Sequence, residues 1–252
     1  MIKEIEHIIS EFDPITLKEM DRVKLMNRVD TKFAIPAHVF PSLLKQLSKD
    51  YFSVEILGTR LPFYKSLYFD TDEFDMYHDH HNGSGNRYKV RIRNYTESEL
   101  FFLEIKHKFK GRTDKNRIKI DAFEENLSEK SLDFIEKTIA KDYHLKATLW
   151  NSFNRITLVN KIENERLTLD MNLLFEWKNK EIEKPQLVIA ELKQERVDRQ
   201  SVFFQLMKSN YIRPYRISKY CIGTCEMYQE SEELKYNLFK PKLLTLEKLK
   251  QK

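Results

Sequence analysis

Apolar and charged residues alternate with a period of two through much of the chain. In KVRIRNY, Lys89, Arg91, Arg93 and Tyr95 point one way while Val90 and Ile92 point the other. The same alternation runs through ELFFLEIKHKF and NRIKIDAF, and the short connectors TES and KGRTDK join the three stretches into a predicted antiparallel meander. Further strands are predicted at NRVDTKFAI (ended by Pro36), FYKSLYF, SFNRITLV, RLTLDMNL and QLVIAELKQ. Helical spacing is predicted over residues 2–26, with a break at Asp13-Pro14. Its apolar stripe runs through Ile2, Ile5, Ile8, Ile9, Leu17, Met20, Lys24 and Leu25. Residues 37–50 and 128–150 are also predicted as helix, the second opened by Ser128. Asp70-Thr71-Asp72 offers capping oxygens for a short helix, NGSGN is turn chemistry, Asp198 caps a helix through Met207, and a last helix begins near Ser218. No repeat or linker divides the chain, so residues 1–252 are predicted to form one domain.

The charged faces of these strands are strongly biased. They carry Arg28, Asp30 and Lys32; Lys89, Arg91 and Arg93; Glu104, Lys106 and Lys108; Lys115, Arg117, Lys119 and Asp121; Arg155; Arg166 and Asp170; and Glu191 and Lys193. Thirteen are basic and five acidic, which leaves the rest of the chain slightly acidic although the whole carries +5. A charged strand face is ordinarily a solvated one. A solvated face mixes signs, however, and like charges directly opposite one another are destabilising. The repeated cationic bias therefore calls for a shared anion. If the sheet curls with charged faces inward and helices over the apolar faces, it forms a tunnel lined with Lys and Arg. Low-dielectric walls strengthen its field, and arginine's planar fork suits phosphate. The predicted fold is α+β: a closed antiparallel β-barrel tunnel with a charged interior and surrounding helices.

Glu104 and Glu191 each stand two residues before a lysine, in FLEIK and AELK. One or two carboxylates among phosphates is a common way to hold Mg²⁺ or Mn²⁺. Structural ion pairs to the neighbouring cations account for either one alone slightly better.

Composition narrows the alternatives. A 33% charged, 41% hydrophobic chain of 252 residues has enough apolar material for a core. Two cysteines, Cys221 and Cys225, make no disulfide framework and lack zinc-ligand spacing. No apolar run approaches the roughly 20 residues that span a bilayer. These features predict a cytoplasmic protein without direct membrane insertion.

RVDTKF, SLYFDT, KVRIRNY, FLEIKHKFKGRTDKNRI, AELK and ISKY fall in the order seen in the vacuolar transporter chaperone (VTC) domain. Over residues 25–225 the chain resembles this polyphosphate polymerase branch of the triphosphate tunnel metalloenzymes, relatives of the CYTH phosphatases and cyclases. The resemblance implies a closed β-tunnel that transfers the γ-phosphate of ATP onto a growing polyphosphate chain with Mn²⁺ or Mg²⁺. It further implies that Lys32, Arg91, Arg93, Lys106, Lys115 and Arg117 bind phosphate, with Arg155 and Arg166 as later members of that set. Lys89, Lys108 and Lys193 extend the same cationic faces. Glu191 is the implied metal carboxylate, with Glu104 as a second candidate. Lys219, beside Ser218, is the implied lysine at the reacting phosphates, and Arg91 and Arg93 join it as catalytic candidates. ATP and polyphosphate are the implied partners, nucleic acid is not, and export of product would need a separate membrane partner.

The chain departs from the hydrolase pattern Glu-x-Glu-x-Lys, carrying Arg28-Val-Asp30-Thr-Lys32 instead. Fewer acids favour the polymerase branch, with a metal-dependent tripolyphosphate or nucleoside triphosphate hydrolase, or a non-catalytic polyphosphate-binding module, as alternatives. His78, His80 and His81 beside Asp79 read better as a solvent loop than as a metal site. Tyr and Phe interleaved with the basic strands read as packing and tunnel-mouth residues.

Overall fold

The computed structural model describes residues 2–20, 28–139, 141–231 and 234–250. Its framework is one curled, mainly antiparallel sheet. The elements are α1 (Ile2–Ser10), β1 (Pro14–Thr16), α2 (Leu17–Met20), β2 (Val29–Pro36), α3 (Phe40–Gln46), β3 (Tyr51–Glu55), β4 (Phe63–Asp70) and α4 (Asp75–His81). They continue with β5 (Asn86–Tyr95), β6 (Leu100–Phe109), β7 (Arg112–Ile120), α5 (Glu129–Thr138), β8 (Lys146–Asn160), β9 (Glu165–Trp177), β10 (Lys180–Lys184) and β11 (Leu187–Gln194). Three helices follow: α6 (Val202–Ser209), α7 (Lys219–Met227) and α8 (Lys240–Glu247). The main ladder runs β2-β11-β9-β8-β4-β5-β6-β7. β10 adds to β9, and β3 bridges β8 and β1.

The period-two pattern builds the two faces. Outward residues Phe33, Ile35, Ile156, Leu158, Leu169 and Val188 pack under α1 and α3, through Ile5, Ile9 and Leu43. Leu67, Val90, Ile92, Leu103 and Ile105 pack under α4 and α5, through Met76 and Ile135. Each such fully buried side chain contributes about 1.5–3 kcal/mol of transfer free energy. The covered outer face forces the charged residues to the concave side. Curling then brings distant strands together there: Lys106 on β6 feels Glu191 on β11, and Lys89 on β5 feels Lys32 on β2.

The inner face is not polar along its whole length. Tyr68, Leu149, Leu173, Phe175, Leu187 and Ile189 face inward and enclose α7, whose residues from Tyr220 to Met227 are buried. Gly223 permits this fit, because a Cβ there would lie 2.5 Å from Phe175 Cδ1 and 2.7 Å from Leu149 Cδ2. On β9, Asn172 adopts a positive φ of 52° beside a register shift against β8. The irregularity resets the alternation, so that Asp170 as well as Leu173 and Phe175 points inward.

Several expectations are corrected. Among the described residues the sheet is open, not closed: β2 and β7 end the ladder and do not pair with each other, and β2 instead bonds the segment before α7 through a Phe33–Pro214 bridge and Tyr215 N to the Lys32 carbonyl at 2.6 Å. Pro214 and Tyr215 thus occupy the edge of β2 that a closed barrel would offer to β7. The predicted helix over 2–26 is two short helices around β1, while Lys24 and Leu25 lie outside the described residues. Residues 37–50 hold a shorter helix, α3. The predicted helix over 128–150 ends at Thr138, and residues from Lys146 onward belong to β8. Ladder pairs such as Leu67 with Trp150 outweigh the helical spacing there. Ser201 rather than Asp198 caps α6, its Oγ accepting from the Phe204 amide at 3.4 Å. β1 and β3 are short, β10 alternates only acids with lysines and one isoleucine, and none of the three was anticipated.

Candidate functional site

The site forms where β2, β11, β9, β8, β5, β6 and β7 turn their charges toward the N-terminus of α7. Its organisers are three carboxylates, each clamped by two cations. Glu104, fully buried, accepts Arg91 Nε at 2.9 Å and Nη2 at 2.6 Å on one oxygen. Its other oxygen accepts Lys115 Nζ at 2.5 Å and Tyr95 Oη at 3.3 Å. Asp170 accepts Arg155 Nε at 2.5 Å and Nη2 at 2.7 Å, and the Lys219 amine as well. Glu191 pairs with Lys32 through one oxygen and with Lys193 at 3.0 Å through the other.

Burial alone would push these three carboxyls up. The cations reverse that: Arg91, Arg93 and Lys115 hold Glu104 well below the usual carboxylate range. Arg155 and Lys219 do the same for Asp170, and Lys193, Lys32 and Lys106 for Glu191. Their stabilising contribution is therefore present above the unfolded carboxyl value and lost on acidification below it.

Other cations stand beside them without a carboxylate of their own among the described ion pairs. Lys89 donates to Ser218 Oγ at 2.8 Å. Arg93 Nε donates to Ser66 Oγ at 3.0 Å, and its guanidinium lies 5.4 Å from the Phe153 ring centroid. Lys106 is half-buried, its amine pushed well down by desolvation and by Arg91 despite the attraction of Glu191. Among the described residues, nine inward basic groups (Lys32, Lys89, Arg91, Arg93, Lys106, Lys115, Arg155, Lys193 and Lys219) thus face three clamped carboxylates, a surplus of six.

Ser218 is the N-cap of α7, its Oγ accepting from Cys221 N at 3.3 Å. The cap aims the positive end of the helix into the cationic centre. Lys219, one residue on, has its amine 4.3 Å from the Phe153 centroid and against Asp170. Burial pushes the amines of Lys219, Lys89 and Lys115 down to about 8.

Not every anticipated residue joins this centre. Arg117 is exposed and stacks 4.5 Å from the Phe102 ring centroid. Arg166 Nη2 donates to the Met20 carbonyl at 3.4 Å. Lys108 lies farther along β6, in register with Thr113 and Arg87. Asp30 pairs with Arg28 at 3.2 Å and stands in register with Lys193, whose amine feels its charge. Asp170 had been counted among the charged faces but given no role. Tyr68, which accepts from Arg91 Nη1 at 3.2 Å, and Tyr95 were also missed, although both stand in the same alternating patterns.

Among the described residues no three His, Cys, Asp or Glu side chains converge on one point. A divalent cation would therefore rest on one carboxylate completed by phosphate oxygens and water. Glu191 fits that requirement: its side chain is 20% exposed and its partners are flexible lysines. Glu104 does not, being fully enclosed with both oxygens committed.

The VTC domain family matches residues 27–228. The chain belongs to the VTC domain family. No curated protein matches it in sequence. A protein from Hippeastrum, provisionally assigned as an adenylyl cyclase and described as having a dominant triphosphatase activity, shares the fold at a TM-score of 0.50. It is 16% identical, over 80% of this chain and 96% of that one. A provisionally assigned adenylate cyclase from Bacillus halodurans is 16% identical over 76% of this chain and 94% of its own, with a TM-score of 0.47. The match to the VTC domain covers the whole cationic centre. It ends before α8. Among the described residues, no helix of this VTC domain is long and apolar enough to cross a membrane.

Proposed function

We propose that this VTC domain is a metal-dependent polyphosphate polymerase that transfers the γ-phosphate of ATP onto a growing polyphosphate chain along its concave face. The observation that carries the reading is the surplus of six basic groups, aimed by three clamped carboxylates at the capped end of α7. Phosphoryl transfer needs positioning and charge stabilisation more than covalent chemistry. Arg91, Arg93, Lys106 and Lys115 cradle the triphosphate, with Lys89 and Ser218 beside it. Lys32, Lys193 and Arg155 hold the acceptor chain on the opposite wall. A terminal phosphate oxygen of that chain bonds to the γ-phosphorus while the bond to the β-phosphate oxygen breaks, and ADP leaves. The nucleophile is already anionic, so no general base is required. Lys219 neutralises charge on the transferred group. A divalent cation, Mn²⁺ or Mg²⁺, held by Glu191 would supply further charge neutralisation at the phosphates. Glu104 is assigned to organising Arg91 and Lys115 instead of binding metal.

Incubation with ATP and Mn²⁺, followed by a gel stained for polyphosphate, tests the reading. A ladder of chains with matching ADP supports it. Released orthophosphate without chains identifies a hydrolase, and intact ATP with tight polyphosphate binding identifies a binding module.

Replacing Lys219 with alanine is expected to lower kcat about a hundredfold, as loss of a transition-state donor does, with a much smaller change in KM. Steady-state kinetics check it, and an unchanged kcat removes Lys219 from the reaction.

The lysines also set a pH dependence. Lys89, Lys115 and Lys219 bind protons less tightly in the fold than in the unfolded chain, whose value is 10.5. Tripolyphosphate affinity is expected to fall as pH rises through about 8, where these amines lose charge. A bound anion draws the protons back, so binding just above that pH takes up protons. Over the same window the lysines' burial cost is relieved and the free protein gains stability. Calorimetry in buffers of different ionisation enthalpy reads the proton uptake. Affinity constant through pH 9 would contradict these lysines as ligands.

A further inference from the structure

A second group of cations lies past the Lys89 end of the clamped array. Arg87 and Lys108 are in register on β5 and β6, one step along the same face from Lys89 and Lys106. Arg216 is exposed two residues before Ser218. Lys242, on α8, has its amine 4.9 Å from the Phe239 ring centroid, and its carbonyl accepts Tyr215 Oη at 3.4 Å. Arg216 lies near both Lys108 and Lys242, and Arg87, Lys108 and Lys242 lie near His80. Burial and the nearby Lys89, Arg87, Lys242 and Lys108 push the His80 imidazole down to about 2. Lys108 is likewise lowered by burial, then by Arg87 and Arg216, and Lys242 is set against Arg216.

The central array has its organising carboxylates. Among the described residues, none of these four forms an ion pair with an acid. Arg87 spends its guanidinium on the Ser84 carbonyl. Yet the segment leading into α8 is held: Tyr77 Oη donates to the Lys235 carbonyl at 2.9 Å, Leu238 N donates to His81 Nε2 at 3.2 Å, and Phe239 packs against Tyr77, while Leu243 and Leu246 of α8 are buried in the same core. Like charges held together by a rigid frame, with no acid among them, mark a place for an external anion. From Arg87 to Arg91 the strand rises about 13 Å, so a triphosphate cradled at Arg91, Arg93 and Lys115 does not need Arg87. A longer chain does.

We infer that Arg87, Lys108, Arg216 and Lys242 form a docking track for the part of a polyphosphate chain that extends beyond the central array. The inference rests on the polyphosphate reading above and deepens it. α8 lies past residue 228, where the VTC domain match ends, so Lys242 adds to the track from outside that match.

The test uses the full chain with Arg216→Ala and Lys242→Ala combined, neither residue belonging to the proposed reaction centre. Affinities for tripolyphosphate and for long-chain polyphosphate are measured over a range of salt. Long-chain affinity is expected to fall about tenfold, with a salt slope shallower by about two counterions, while tripolyphosphate affinity stays within about twofold. Arg216→Lys with Lys242→Arg should restore long-chain binding, which excludes a folding defect. Equal losses for both ligands, or none, would overturn the track. So would a single-stranded DNA oligonucleotide that binds the wild type as tightly and loses as much. Length-dependent loss in a protein that makes no polyphosphate from ATP would keep the track and remove the polymerase.

Discussion

Glu104→Gln is expected to cost about 3–5 kcal/mol of folding stability, the usual penalty for removing one partner of a buried ion pair. Glu104 has no exposed surface and meets Arg91 with one oxygen and Lys115 with the other. Arg93 and Lys106 lie close enough to feel the same cluster. Without the carboxylate, these cations face each other in a low-dielectric cleft. Chemical denaturation reads the loss as a lower midpoint at unchanged slope. The variant should also respond more strongly to tripolyphosphate than the wild type, because a bound polyanion supplies the missing negative charge and stabilises by mass action. Glutamine keeps the shape and one acceptor, so a collapse of packing cannot explain the result. Wild-type stability in the variant would mean that the cations solvate themselves and that Glu104 organises nothing.

That dependence was only half legible in the sequence. The alternation in KVRIRNY and FLEIKHKF placed Arg91 and Glu104 on a charged face, since side-chain direction follows directly from strand periodicity. Which cation each carboxylate clamps depends on register, and register is settled by turns and by the burial of the opposite face. Ser218 as a helix start was legible because its capping oxygen is local. The burial of α7 inside the concave face was not, because it requires Gly223 to meet Phe175 and Leu149 from distant strands. Asp170 shows the same limit: its inward direction is clear from RLTLDMNL, but the irregularity at Asn172 lets inward apolar residues follow it. The strand KEIEK, β10, pairs residue by residue with β9 although its alternating acids and lysines resemble a solvated loop. Closure was over-read. Alternation reports which way each side chain points, while the meeting of β2 and β7 depends on accumulated twist and on what else takes the β2 edge, here Pro214 and Tyr215.

Alanine at position 191 should separate chemistry from binding. Turnover with ATP is expected to fall by at least about a hundredfold, because the proposed metal carboxylate is lost from the phosphates. Binding of polyphosphate should hold or tighten. In the wild type Glu191 occupies Lys32 and Lys193, so its removal frees both amines for the ligand and raises the surplus of basic groups by one. Glu191 is partly exposed, so the freed lysines reach water and the fold survives the change more easily than loss of Glu104. Steady-state kinetics across a Mn²⁺ series and calorimetric titration with tripolyphosphate measure the two effects on the same preparation. Glu191→Gln distinguishes charge from volume, and should resemble alanine in turnover. If binding and turnover collapse together, Glu191 serves as the strut that aims Lys32 and Lys193, and the metal must be held elsewhere. If turnover survives, the cationic array works without this carboxylate, and Glu191 is removed as the metal ligand.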